Sequence, residues 1–243
     1  MRKSTFILSL FISIVCALII SSCKKDKTPE CRILSVITNS TFSNDTTYFS
    51  YDSQGRVIAA VSNSGSNITY SYFGNSANRI TTSSGFSYRD SLVFENGNLL
   101  KEVYSYSNTG VLDGKVSYSY NASWDLIQYT DQSFSPASLS IQNLNYSNGN
   151  PISVTEGGTT IGTIDYYTDK SSAKGDYLDF FQFSNFGYGR YLKSKNLIKS
   201  QTLTSSGITY NYTYEFDSNG NVSKLTINDG TNTSSYIITY ACD

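Results

Sequence analysis

From residue 31 onward the chain alternates. Tyr70-Ser71-Tyr72, Tyr118-Ser119-Tyr120 and Tyr212-Thr213-Tyr214 set two rings two residues apart with a small polar residue between them. A period of two puts both rings on one face of a strand and the hydroxyl on the other. Several such stretches run into an Asx residue and glycine. They include Tyr51-Asp52-Ser53-Gln54-Gly55-Arg56-Val57, Phe94-Glu95-Asn96-Gly97-Asn98-Leu99, Tyr146-Ser147-Asn148-Gly149-Asn150 and Phe216-Asp217-Ser218-Asn219-Gly220-Asn221-Val222. The Asx side chain bonds the backbone ahead of it, and glycine takes the positive φ of a tight turn. A β-branched residue or leucine then restarts the next strand. Asn63-Ser64-Gly65, Asn108-Thr109-Gly110 and Ser205-Ser206-Gly207 supply turns of a second kind. The pattern predicts an all-β fold, a meandering antiparallel sheet of repeated hairpins with about a dozen strands. It is expected to be twisted or partly closed, with sandwich and barrel both open.

Two segments break the rhythm. Near 170–190 the hairpin grammar stops, and Asp176 precedes Tyr177-Leu178-Asp179-Phe180-Phe181-Gln182-Phe183. Asp176 suits a helix cap, so a short helical or irregular insertion packed on a sheet face is expected, with a further strand as the alternative. At the N-terminus, Arg2 and Lys3 precede a largely apolar run, Phe6 to Ile20, too short for a comfortable span. The run ends in Ile20-Ser21-Ser22-Cys23, which resembles the bacterial lipobox. That resemblance implies a signal peptide over 1–22, lipidation (palmitate included) at Cys23 and a tether over 23–30. It leaves 31–243 as a single β-repeat domain. The acyl chains would make the membrane the first partner.

Composition removes whole chemistries. Histidine is absent, so Ser-His-Asp and Cys-His catalysis and histidine-ligated metals are excluded. A net charge of −1 argues against a nucleic-acid binder. No metal site or cofactor is expected. Asp217-Ser218-Asn219-Gly220-Asn221 lacks the distal glutamate of a calcium loop and reads as a turn. Asp165, Asp176 and Asp179 are the acids a histidine-free glycan hydrolase would use, and surface or capping roles are the plainer reading. Cys31 and Cys242 flank the domain as disulfide candidates in an oxidising compartment, with two free thiols as the alternative.

Tyrosine is the outlier, at 21 residues beside 13 phenylalanines and one tryptophan. A ring with a hydroxyl suits both sugar stacking and sheet cohesion. Tyr118, Tyr120, Trp124, Tyr210 and Tyr212 are the binding candidates, with cohesion the expected task of most rings.

Tyr51-Asp52 followed by Gly55-Arg56-Val57 resembles the YD repeat of Rhs-type proteins. The whole layout, with Asn196-Leu197-Ile198-Lys199 before the last repeat, resembles Bacteroidota outer-membrane lipoproteins carrying degenerate YD repeats. The resemblance implies a non-catalytic lipoprotein of the outer membrane, on its periplasmic or cell-surface side. The expected function is to bind or scaffold a glycan or an envelope protein through the tyrosine-rich sheet. The alternatives are a carboxylate-dependent glycan hydrolase and a lipid-carrying accessory of envelope biogenesis.

Overall fold

The computed structural model describes residues 31–41 and 44–242. Among them the first eight strands are β1 (Cys31–Asn39), β2 (Asn44–Tyr51), β3 (Val57–Ser62), β4 (Asn67–Phe73), β5 (Ser76–Ser83), β6 (Phe86–Glu95), β7 (Leu99–Tyr106) and β8 (Leu112–Tyr120). The next four are β9 (Leu126–Phe134), β10 (Ala137–Ser147), β11 (Asn150–Glu156) and β12 (Thr159–Ser171). One helix, α1 (Tyr177–Phe186), precedes β13 (Asn196–Leu203), β14 (Thr209–Phe216), β15 (Val222–Asn228) and β16 (Thr233–Cys242). Ile33–Ala241 form one compact unit. Cys31, Arg32 and Cys242 fall in another, where Cys31 and Cys242 are joined by a disulfide. A bridge closing so long a loop stabilises by on the order of 4–5 kcal/mol in the chain-entropy view. The signal peptide, Cys23 and the tether lie outside the described residues.

Each strand pairs antiparallel with its chain neighbours, and the meander closes into a barrel in which β16 meets β1. Ser35 and Thr239 join their hydroxyls at 2.7 Å across that seam. The expected sheet is therefore present, with sixteen strands and complete closure, which leaves no edge to protect.

The sequence repeat has a structural meaning at one end of the barrel. Register slips by one residue where an even strand meets the next odd one: Tyr51 faces Val57, Phe94 faces Leu100, Tyr120 faces Leu126 and Phe216 faces Val222. The slip is a β-bulge, and it turns the aromatic ring over the strand before it. There the hydroxyl donates to the first inward carbonyl of that strand. Tyr51 Oη reaches Ile33 O at 2.6 Å, and Tyr72, whose strand meets β5 without a slip, reaches Val57 O at 2.8 Å. Tyr120 reaches Leu100 O at 2.5 Å, and Tyr166 and Tyr240 reach Pro151 O and Val222 O at 2.8 Å. Five hairpins are thus latched at their open end.

Inward positions carry the apolar and aromatic residues, including Ile33, Phe49, Tyr70, Leu92, Tyr118, Tyr212 and Leu225. Outward positions carry Ser71, Ser117, Ser119, Asn143, Asn145, Thr213 and Thr226. A membrane-spanning barrel has the opposite pattern, with an apolar band outside. The outer wall here mixes these polar residues with exposed Tyr48, Val61, Ile80, Leu139, Ile141 and Ile237.

Helix α1 packs inside the lumen. Asp176 caps it, accepting from Asp179 N at 3.0 Å, and Gly187 at φ 58° ends it. Rings project from several of its faces: Phe183 lies 4.7 Å from Phe49, Tyr177 4.7 Å from Tyr212 and Phe180 5.0 Å from Tyr236. These partners stand on β2, β14 and β16, so the helix lies inside the wall. The insertion expected near 170–190 is helical, and a plug.

Candidate functional site

The plug divides the lumen. Buried Gln182 ties the returning chain to the helix: its amide nitrogen donates to Leu178 O and Leu192 O, and its oxygen accepts from Tyr191 N at 2.6 Å and Leu192 N at 2.7 Å. Gly189 lets that return press on the wall. A Cβ there would stand 2.8 Å from Phe94 Cε1, and the adjacent Arg190 N donates to Asn98 O at 2.8 Å. Asn150 fixes the exit, accepting from Lys195 N and Asn196 N at 2.8 and 2.9 Å. The end of the barrel that carries the Asx turns is therefore stoppered.

The opposite half is open. Above the helix C-terminus, Arg79 forms an ion pair with buried Asp90 at 2.7 Å and donates to Asn185 O. Ser105 donates to the other Asp90 oxygen at 2.7 Å. This cluster floors a cavity of about 530 Å³ lined by Thr81, Phe86, Tyr88, Ser107 and Asp113. Phe86 and Tyr88 share the register face of Asp90 and Leu92, so they point into the lumen, yet they are 58% and 52% exposed. They are inward rings that the described residues leave more than half exposed. A second recess of about 230 Å³ includes Thr38, Asp45, Thr47 and Ser62. The Ser62 hydroxyl, aided by the Thr46 and Ser64 amides against burial, holds Asp45 below the usual carboxylate range. On the far wall Ser140 donates to Glu156 at 2.5 Å. Hydroxyls, carboxylates and two free ring faces make this cup suited to a polyhydroxylated ligand.

Of the binding candidates read from the sequence, Tyr118 and Tyr212 are 7% and 2% exposed and belong to the core. Tyr118 packs on Tyr191 at 5.1 Å, and burial pushes its phenol well above the usual range. Tyr120 is a latch, and Tyr210 is half-buried against the core cluster. The tyrosine-rich face is concave and occupied, so it is no outer docking surface. Trp124 alone of the five is exposed, at 42%, on the stoppered end. There a cleft of about 460 Å³ lies between the β8–β9 turn and the plug. Asp176 and Asp179 line it, and their oxygens are engaged. Asp176 takes the amides of Asp179 and Ala173, and Asp179 takes Gly175 N and the Arg190 guanidinium. Burial raises Asp176 to about 6, with the neighbouring Asp179 charge adding to it. Asp165 stands outside on the wall, near Ser200 at 3.3 Å. Asp52 and Asp217 each accept two turn amides at 2.9 Å, as Asx turns do. No group of acids and cysteines fit to hold a metal occurs among the described residues.

The sequence reading missed Phe86, Tyr88, Arg79 and Asp90. Their signal was the alternation Phe86, Tyr88, Asp90, Leu92, Phe94, in which a charge and two rings share the core face.

A family model described as Teneurin YD-shell matches residues 34–155. The barrel is also similar to the crystal structure of a porin-like protein from Bacteroides uniformis, at TM-score 0.63 and 15% identity. The match covers 86% of this chain and 98% of that one. Among curated proteins none matches the chain.

Proposed function

The chain belongs to the Teneurin YD-shell family, and on that premise we propose that it is a non-catalytic, lipid-anchored outer-membrane protein that holds a glycan in the open half of its barrel. The observation that carries the reading is the cup itself. Phe86 and Tyr88 offer bare faces above a floor of Arg79, Asp90 and Ser105. Sugar rings stack on such faces while their hydroxyls meet charged and hydroxyl partners. The likeness to a porin-like protein extends to the wall and carries no passage function here. The stoppered lumen speaks against an open membrane pore. Anchoring rests on the Cys23 motif, which suits a barrel tethered at the membrane.

The test is a glycan array followed by calorimetry on the mature protein, with Tyr88→Ala and Phe86→Ala as variants. Binding of at least one polysaccharide class, weakened roughly tenfold or more by losing either ring, is expected. A protein that binds no glycan, or whose binding ignores both substitutions, overturns the assignment. Capture of an envelope protein that survives both substitutions would move the function to a protein partner. Palmitate labelling lost in Cys23→Ser tests the anchor separately.

A further inference from the structure

We infer that the stoppered end of the barrel rests on a lipid bilayer through a ring of bulge side chains and Trp124, so that the cup opens away from the membrane. The inference builds on the lipid-anchor reading above and adds an orientation to it. Each register slip leaves one extra residue on the odd strand, just after its first inward residue. Those positions hold Ile58, Ile127 and Ile152, and elsewhere Lys101, Lys199 and Ser223, while Leu34 follows inward Ile33 on β1. Leu34, Ile58, Ile127 and Ile152 are 46%, 37%, 41% and 40% exposed and seal nothing inside. One residue further along, the outward positions are Ser35, Ala59, Gln128 and Ser153. Other exposed outward aliphatics, Val61, Ile80, Leu139, Ile141 and Ile237, stand elsewhere on the wall, whereas at this end the bulge repeats an aliphatic at the same register position on several strands. Phe73 and Phe216, at 62% and 42% exposed, end β4 and β14 in that same layer.

Trp124 points the same way by a second route. The turns at Asp52 and Asp217 place Gly55 and Gly220 three residues on, at φ 76° and 80°. The turn at Asn121 makes the same bonds, to Ser123 N and Asp125 N, but sets Trp124 in that glycine position at φ 60°. A bulky residue held in left-handed backbone and turned to solvent invites a functional explanation. Aliphatic and aromatic side chains interleaved with lysines in one plane match the interface of a bilayer, where stems bury and ammonium groups meet headgroups. The route of the chain fits. Ile33 stands in this layer, and the ten residue steps from Cys23 to Ile33 span at most roughly 35 Å, so an acyl anchor keeps this end near the membrane.

Trp124 is the chain's one tryptophan and reports directly. All sixteen strands pair within 31–242, so the chain from Cys23 onward folds without its signal segment. With Cys31 and Cys242 bonded, Cys23 is its one free thiol, and it can be coupled to a maleimide phospholipid in phosphatidylethanolamine–phosphatidylglycerol vesicles. Trp124 emission is expected to move to shorter wavelength, and brominated acyl chains should remove about half of it or more. Ile58→Asn/Ile127→Asn/Ile152→Asn should abolish both effects with its melting temperature held, while Phe86→Ser/Tyr88→Ser at the cup should leave them intact. If iodide quenches Trp124 as well on vesicles as off them, the orientation is wrong. A rim that joins two copies would appear as a dimer in sedimentation without vesicles, and would equally overturn it. The coupling bypasses cellular acylation, so failure of docking and failure of the Cys23 anchor are read separately.

Discussion

Replacing Tyr120 by phenylalanine separates cohesion from recognition. The ring stays, and only the bond from its hydroxyl to Leu100 O at 2.5 Å is lost. Burial raises this phenol far above its ordinary range, so the bond is made by a neutral O–H in a shielded place. A neutral bond of this kind contributes a net of about 0.5–1.5 kcal/mol, and the orphaned carbonyl keeps the loss toward the upper end. For a chain of this size about 1 kcal/mol lowers Tm by roughly 2–4 °C. Tyr51→Phe, Tyr72→Phe, Tyr166→Phe and Tyr240→Phe should each do the same. Their separate hairpins make the losses additive, so the fivefold variant should lose about 5 kcal/mol and roughly 10–20 °C. Tyr48→Phe, at an exposed outward ring, is the control and should change nothing. Thermal and urea unfolding measure stability, while glycan binding at the folded temperature measures function. The reasoning fails if the single latch variants melt with the wild type, or if Tyr120→Phe weakens ligand binding while stability holds. Phe94 and Phe216 occupy the same register position without a hydroxyl, so the ring is tolerated there unlatched.

Three other outcomes follow from the packing. Trp124→Gly relieves left-handed strain of about 1–2 kcal/mol, which offsets part of the lost ring contact with Tyr120 at 6.4 Å. It should cost less than about 2 kcal/mol in urea unfolding, against the roughly 3–5 kcal/mol of a tryptophan truncated in a core. Gln182→Ala strips partners from the buried amides of Tyr191 and Leu192, and should cost about 3–5 kcal/mol and raise hydrogen exchange along 187–195. Asp176 gives a pH signature: its folded value of about 6 exceeds the ordinary 3.8, so its contribution is complete below about 4 and is lost as pH rises through about 6. Asp45 and Asp229, held low by the Ser62 hydroxyl and the Asn232 amide, act oppositely and lose their contribution in more acidic solution. Tm should therefore rise on going from pH 7 to 5 and fall below about pH 4. Asp176→Asn, which still caps, should remove the first slope.

The hairpins were legible because their signals are local. Alternation, an Asx residue and a glycine lie within about ten residues of one another, and each turn makes its own bonds. Closure was not legible, since the seam joins Ser35 to Thr239 and no local pattern encodes a pairing so distant. The disulfide candidates at 31 and 242 were the one hint that the ends meet. Alternation also says that Tyr118 and Tyr120 share a face without saying which face is concave. Once the sheet closes, that face becomes the lumen, and residues read as a binding surface become its filling. The bulges add a subtler obstacle. Val57-Ile58 reads as an ordinary strand restart, yet the slip throws Ile58 outward and preserves the inward parity of Ala60. The cap at Asp176 was visible, but the plug was not, because rings on several faces of α1 give no stripe to aim at a sheet.

A closed sheet of sixteen strands encloses more space than its own side chains fill, and barrels of this size otherwise carry water. Here the excess is handled in two ways along one axis. In the half with the Asx turns, long rings from the wall and from α1 interdigitate, and the latches bend each tyrosine inward to help. In the other half no element of the described residues descends, and the inward positions become Thr47, Arg79, Ser105 and Glu156. The boundary between them is the Arg79 guanidinium. It neutralises Asp90, whose charge would otherwise sit unpaired in the wall, and it meets a carbonyl at the helix C-terminus, where the peptide dipoles favour a cation. One residue thus completes the plug from above and supplies the charged floor of the cup from below. The recess is therefore the part of the lumen that the plug leaves unfilled, and its depth is set by where α1 stops at Gly187, where a Cβ would crowd the Tyr70 ring at 3.1 Å and the Tyr72 hydroxyl at 3.2 Å.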